Sequence, residues 1–190
     1  MDFLDLVTRT RSYRRFQQTP VARTTLRALV NLARLSPTGG NLQPLKFFLS
    51  HDAATNDAIF PCTAWAGYLT GWGGPAEGER PMAYILICTD TRIKPEAHHD
   101  VGIAAQSIVL GAMEKGLGAC MIGSIRQREL RTALRVPDAL QVSLVIALGV
   151  PGETVALENL GADGGIKYYR DAAGVHHVPK RSLDDLIVEF

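Results

Sequence analysis

The sequence predicts a mixed α+β sandwich of layers, and three observations carry that prediction. Strand-like and helix-like segments interleave irregularly, unlike the regular alternation of a βαβ array. Two apolar runs, Met82–Cys88 and Val142–Leu148, read as buried strands. Between them Val101, Ala104, Ala105, Ile108, Val109 and Ala112 make a wide apolar face on one long helix that Gly116 can close. With 190 residues, the chain is expected to form one domain with a core of its own.

The elements follow in order. Phe3, Leu6 and Val7 stand at i, i+3 and i+4 behind Asp2, so a short amphipathic helix opens the chain with Asp2 as N-cap. Arg9 to Phe16 carries no apolar stripe. Leu26, Leu29, Val30 and Ala33 predict a second helix that stops at Ser36-Pro37. Thr38-Gly39-Gly40-Asn41 is turn chemistry, and Leu45–Leu49 reads as a strand. Residues 61–81, rich in glycine around Trp65, Tyr68, Leu69 and Trp72, form a long loop of the kind that serves as a lid or binding loop. Ala119–Ile122 is a short strand and Gln127–Leu134 a helix; Lys167–Arg170 and Val175–Val178 resemble a hairpin. Ser182 with Asp185 three residues on is a helix start for a C-terminal tail, residues 180–190.

Charge and composition bound the function. Lysines and arginines number 20 and acids 19, so no overall field draws the chain to nucleic acid or an anionic membrane, and neither is expected as a partner. No apolar run approaches the roughly 18 residues of a membrane span. Asp2 and Asp5 stand where a signal peptide needs bases, so a cytoplasmic location is expected. Cys62, Cys88 and Cys120 form no Cys-x-x-Cys pair and read as small buried hydrophobes. Gly116-Leu117-Gly118 is no dinucleotide fingerprint, because Met121 holds the third glycine position and the order is helix then strand. There is no P-loop, no Gly-x-Ser-x-Gly and no His-Glu-x-x-His. His98-His99 and His176-His177 are adjacent pairs whose side chains diverge, so no metal is expected.

Three features remain. Arg9, Arg11, Arg14 and Arg15 cluster around Ser12; such repulsion is tolerated by solvation or by an anion, and the arginine fork suits phosphate. Ser36 to Pro44 joins a helix to a strand through two glycines, with Asn41 and Gln43 as polar groups near a backbone that can approach a flat ligand. Lys180-Arg181 is a late cationic pair.

Taken in order, these residues resemble the FMN-dependent nitroreductase family over nearly the whole chain. The resemblance runs through Arg11-Ser12-Tyr13-Arg14-Arg15-Phe16, Ser36 to Pro44, the long helix leading into Gly116–Gly123, the strand ending Ala147–Pro151, and Lys180-Arg181. It implies a three-layer fold with a central, mostly antiparallel sheet between helices and a C-terminal tail exchanged across a homodimer. It also implies FMN as cofactor, with Arg11, Ser12, Arg14, Lys180 and Arg181 at the phosphate. Pro37, Thr38, Gly39 and Asn41 would reach the flavin from the partner subunit, and the main chain of Met121, Ile122 and Gly123 would face the reactive edge of the ring. The implied activity is ping-pong hydride transfer from NAD(P)H through flavin N5 to a small acceptor such as a nitroaromatic or quinone. No side chain is assigned as acid or base, because the flavin carries the chemistry. Thr10 stands where the family usually has a further arginine, and Leu45 where a tryptophan commonly follows Gln-Pro. Two other readings remain open at this stage: an oxygen-using or dehalogenating FMN enzyme, and a flavin-binding protein without turnover.

Overall fold

The structure, a computed structural model, describes residues 1–189; Phe190, part of the expected tail, lies outside them. Among the described residues there are five α-helices: α1 (Phe3–Arg9), α2 (Arg23–Leu35), α3 (Ala53–Ile59), α4 (His98–Glu114) and α5 (Gln127–Leu134). The strands are β1 (Phe16–Gln17), β2 (Leu45–Ser50), β3 (Ala83–Asp90), β4 (Gly118–Ile122), β5 (Leu140–Pro151), β6 (Val155–Asn159), β7 (Tyr169–Arg170) and β8 (His176–Lys180).

β5 organises the main sheet. It pairs antiparallel with β3 over most of its length, with β4 through Val145–Gly149 and with β1 at Val150–Pro151; β2 completes the sheet beyond β3. All eight residues of β3 are buried, because helices cover both sheet faces. Ile85, Ile87, Ile146 and Leu148 pack against Leu26 and Leu29 of α2 and Ala105 and Ile108 of α4. Tyr84, Leu86, Val145 and Ala147 face the other way, toward Ile59 at the end of α3, Leu130 of α5, Trp65 and Phe16. The result is the expected three-layer arrangement around an antiparallel sheet. A bulge, in which Ile87 faces Leu144 but Cys88 faces Val142, turns Val142 onto the second face.

The expected helices at both ends of the chain fare differently. Asp2 caps α1 by accepting from Asp5 N at 2.8 Å. Ser182 and Asp185 make their reciprocal capping bonds, at 3.2 and 3.3 Å, but head only a turn. Leu183, Leu186, Ile187 and Val188 stay exposed, and so short a helix has little stability without a face to bury. Helix α3 carries no apolar stripe because one of its two buried positions is Asn56, which bonds Ser50 Oγ and the Met82 carbonyl. β6, β8 and β7 form a second sheet, with β6–β8 parallel and β7–β8 antiparallel, so the expected hairpin is real and acquires an unforeseen strand. Among the described residues no helix is long and apolar enough to cross a membrane.

Candidate active-site cleft

The arginine segment is laid down residue by residue. Thr10 ends α1 with its hydroxyl on the Leu6 carbonyl at 2.7 Å, and Arg11 Nη2 donates to the Val7 carbonyl at 2.9 Å. Ser12 bridges Ala119 of β4, and Tyr13 N donates to the Ala119 carbonyl at 3.0 Å. The Tyr13 ring lies on Gly118, where a Cβ would come within 2.9 Å of it, so this approach requires glycine. Arg14 and Arg15 then donate their backbone N–H groups to Glu153 Oε1. Phe16 is buried. The segment is thereby fixed against β4 and the end of β5.

This placement puts Arg14 at a cleft of about 250 Å³, lined also by residues 64–67, 120–124 and Tyr168. Met121 is exposed between two buried neighbours on β4. The 62–67 loop is bound to the far wall: Ala64 N donates to the Ser124 carbonyl and Arg126 N to the Cys62 carbonyl, at 3.0 and 2.8 Å. Tyr168 closes one side, its hydroxyl accepting from Tyr68 N at 3.4 Å and the two rings 4.9 Å apart. Burial pushes the Cys120 thiol in the wall up to about 11, so it stays protonated and unreactive at neutral pH.

Beneath the cleft lies a buried polar cluster. The Glu153 side chain is 1% exposed and pairs with Arg170 at 2.7 Å. Arg170 also stacks over Trp72, at 4.9 Å, which ties the 61–81 loop to the second sheet. Arg14 Nη1 donates to the Ser12 carbonyl at 3.2 Å and to His176 Nε2 at 3.0 Å, and its guanidinium lies over Tyr168 at 4.8 Å. His176 is fully buried. His177 points away on the other side of β8, between Glu158 Oε2 and Asp171 Oδ2, both at 3.1 Å, and stacks on Tyr169.

Carboxylates at both ring nitrogens of His177 can be satisfied only by an imidazolium, so its pKa is raised, first by Asp171 and then, against some desolvation, by Glu158. A raised folded-state pKa means the stabilisation is complete below the ordinary imidazole value and lost as pH rises through the raised one. Asp171, held low chiefly by the same bond, contributes above the ordinary carboxylate range and loses its contribution as pH falls. The stability advantage of the natural protein over His177→Gln should therefore be larger at pH 5.5 than at pH 9. Thermal melting of both proteins at the two pH values measures this; a constant difference would refute it.

Of the residues picked out from the sequence, the cleft gathers Arg14, Met121, Ile122 and Gly123. Ser12 adjoins it through its carbonyl. Arg11 stands off toward α1, with a buried Nε that has no protein partner. The Pro37–Asn41 stretch is elsewhere, at the start of α4: Gly39 N donates at 2.7 Å to buried Asp100, which also binds Lys94 at 2.9 Å. Lys180 and Arg181, at the end of β8, are exposed and do not line the cleft. Glu79, in the 61–81 loop, pairs with Arg15 at 3.2 Å. Sequence reasoning missed Glu153, Tyr168, Arg170 and His176. The hairpin that carries three of them was visible, but nothing in it pointed to Arg14.

Comparison with known proteins places this arrangement. The sequence profile described as the nitroreductase family matches residues 7–67 and 78–150, well over half of the chain. The chain belongs to the nitroreductase family. A curated relative from Archaeoglobus fulgidus, provisionally named NADH dehydrogenase/NAD(P)H nitroreductase, is 23% identical over 78% of this chain and 84% of its own. The solved FMN-dependent nitroreductase of Clostridium difficile R20291 superposes with a TM-score of 0.69 at 23% identity, covering 99% of this chain and 98% of that one. A nitroreductase family protein from Streptococcus pneumoniae TIGR4 gives 0.74 at 16% identity over the full length of both chains. At these identities the two structures speak for the fold alone.

Proposed function

We propose that this protein is an FMN-dependent NAD(P)H oxidoreductase whose cofactor sits against β4. The observation that carries this reading is the state of Arg14: among the described residues its Nη1 is engaged, while no hydrogen bond uses its Nε–Nη2 edge. That edge is the bidentate fork that suits phosphate. The surroundings fit a flat anionic ligand. Gly67 and Gly123 would each carry a Cβ into open space, and His176 Nδ1, beside Arg14, is a buried polar atom without a protein partner among the described residues.

Arg14 would hold the phosphate with Ser12 beside it, whereas Arg11, folded back on the Val7 carbonyl, does not reach this cleft. The main chain of Met121, Ile122 and Gly123 would line the ring, and the loop carrying Trp65 and Tyr68, within the 61–81 lid, would exclude water. Bound FMN supplies reversible two-electron chemistry that lets a nicotinamide and then a nitroaromatic, quinone or similar acceptor react in turn. Pro37, Thr38, Gly39 and Asn41, together with Lys180 and Arg181, are assigned to the partner subunit's cleft, because on their own chain they do not reach this one.

That assignment requires a homodimer. Phe3 and Leu4 of α1, Leu35 of α2, Ile103 of α4 and the tail from Leu183 to Val188 leave large apolar side chains exposed. A symmetric partner covers them, and the tail is read as exchanged across that interface. Denaturation midpoints should then rise with protein concentration; a folded monomer with a fixed midpoint would rule the dimer out.

The cofactor reading is tested on purified protein. Flavin absorbance should be bleached by NADH or NADPH under nitrogen and restored by a quinone. Arg14→Ala should weaken FMN binding by about 1.5–3 kcal/mol, roughly 10–150-fold. Protein that neither retains nor takes up FMN would overturn the proposal.

A further inference from the structure

Arginine is long and flexible, and a phosphate site built on a free one loses side-chain entropy whenever the anion binds. Arg14 is not free. Its Nη1 is held by the Ser12 carbonyl and by His176 Nε2, and its planar group rests on Tyr168. Of these, His176 is the fully buried one, fixed by its strand: its backbone N donates to the Thr154 carbonyl at 2.9 Å, and β8 pairs on both sides there.

We propose that His176 is the positioning residue for Arg14, holding the guanidinium so that its Nε–Nη2 edge is preset for the phosphate monoester of FMN. The inference rests on the cofactor reading above. Its chemistry depends on the acceptor being neutral. A carboxylate at this position would form an ion pair with Arg14 and compete with the phosphate for its charge. Neutral imidazole accepts one hydrogen bond and leaves the charge available. Burial, and then the nearby Arg14 charge, bring the pKa of His176 down to about 4, so the ring is neutral at physiological pH. The adjacent carboxylate, Glu153, is already committed to the Arg14 and Arg15 backbone N–H groups and to Arg170, so it does not compete. In the tautomer that accepts from Arg14, the proton sits on Nδ1, which has no protein partner among the described residues.

The test compares FMN with riboflavin, which lacks the phosphate. Full-length protein freed of flavin is titrated with each, for the natural chain and for His176→Leu, His176→Gln and Arg14→Ala. His176→Leu should lower FMN affinity about tenfold, the scale of one charge-assisted hydrogen bond, and leave riboflavin affinity unchanged. His176→Gln, which keeps a neutral acceptor, should restore most of the difference. Equal loss for both ligands would mean a merely structural role and would overturn the inference, as would no loss for either or a glutamine no better than leucine. If His176→Leu fails to fold, His176→Asn, polar but too short to reach Arg14, takes its place under the same criteria. Arg14→Ala separates the two levels. If it leaves the FMN-to-riboflavin ratio unchanged, the cofactor reading of Arg14 has failed and the inference falls with it. If it collapses the ratio while His176→Leu does not, the inference alone has failed.

Discussion

Glu153→Ala is expected to destabilise the protein by about 3–5 kcal/mol, the range for removing one partner of a buried ion pair. Three donors lose their acceptor at once: the Arg14 and Arg15 backbone N–H groups and Arg170 Nη2. Arg170 is left as a largely buried cation, since its side chain is only 13% exposed. Water that enters can replace the hydrogen bonds only in part, because Glu153 itself is sealed. Glu153→Gln should lose less, since an amide oxygen still accepts from the backbone while the charge is gone. Urea denaturation of the three proteins gives the comparison, and a loss below about 1 kcal/mol for alanine would contradict the burial argument. Flavin affinity should fall with stability in Glu153→Ala, because the same carboxylate fixes the backbone of Arg14.

Ile108→Ala should cost about 2–5 kcal/mol through lost burial and the cavity left behind. Ile108 is fully buried at the centre of α4, in the cluster that also holds Leu29, Ile85 and Ile146. The effect should reach beyond stability. The first turn of α4 carries Asp100, whose carboxylate holds Gly39 N and has its pKa lowered, chiefly by that bond and then by Lys94. A loosened α4 therefore releases the turn assigned to the partner's cleft. Chemical denaturation measures the first effect, and protease sensitivity near residues 37–43 measures the second. A destabilised protein whose turn is as protected as before would separate the two.

The main elements could be read in the chain because burial leaves a period. Leu26, Leu29 and Ala33 mark α2, and Gln127–Leu134 is matched end to end by α5. The unbroken apolar run of β3 is what a strand covered on both faces requires. Segments that escaped were those without such a mark. In α3 a buried position is filled by Asn56, whose polarity is satisfied by partners at Ser50 and Met82, and no periodicity shows that. Two-residue β1 is defined only by its pairing with the end of β5.

The site divides along the same line. The sequence by itself determined which residue types are available: an arginine cluster at 9–15, a short strand at 119–122 and a hairpin with two histidines, in an order that resembles one family. Only the tertiary structure decided that Arg14, rather than its neighbours, reaches the cleft, and that Arg11 folds back on the carbonyl of Val7. It also decided that of two adjacent histidines, His176 is a buried acceptor and His177 an exposed-side cation between two acids. The physical reason is the range of the interactions. Helix and strand periods are written in neighbouring residues, whereas Glu153, Tyr168 and His176, which hold Arg14 together with the nearby Ser12 carbonyl, lie more than a hundred residues away and meet it only in the folded chain.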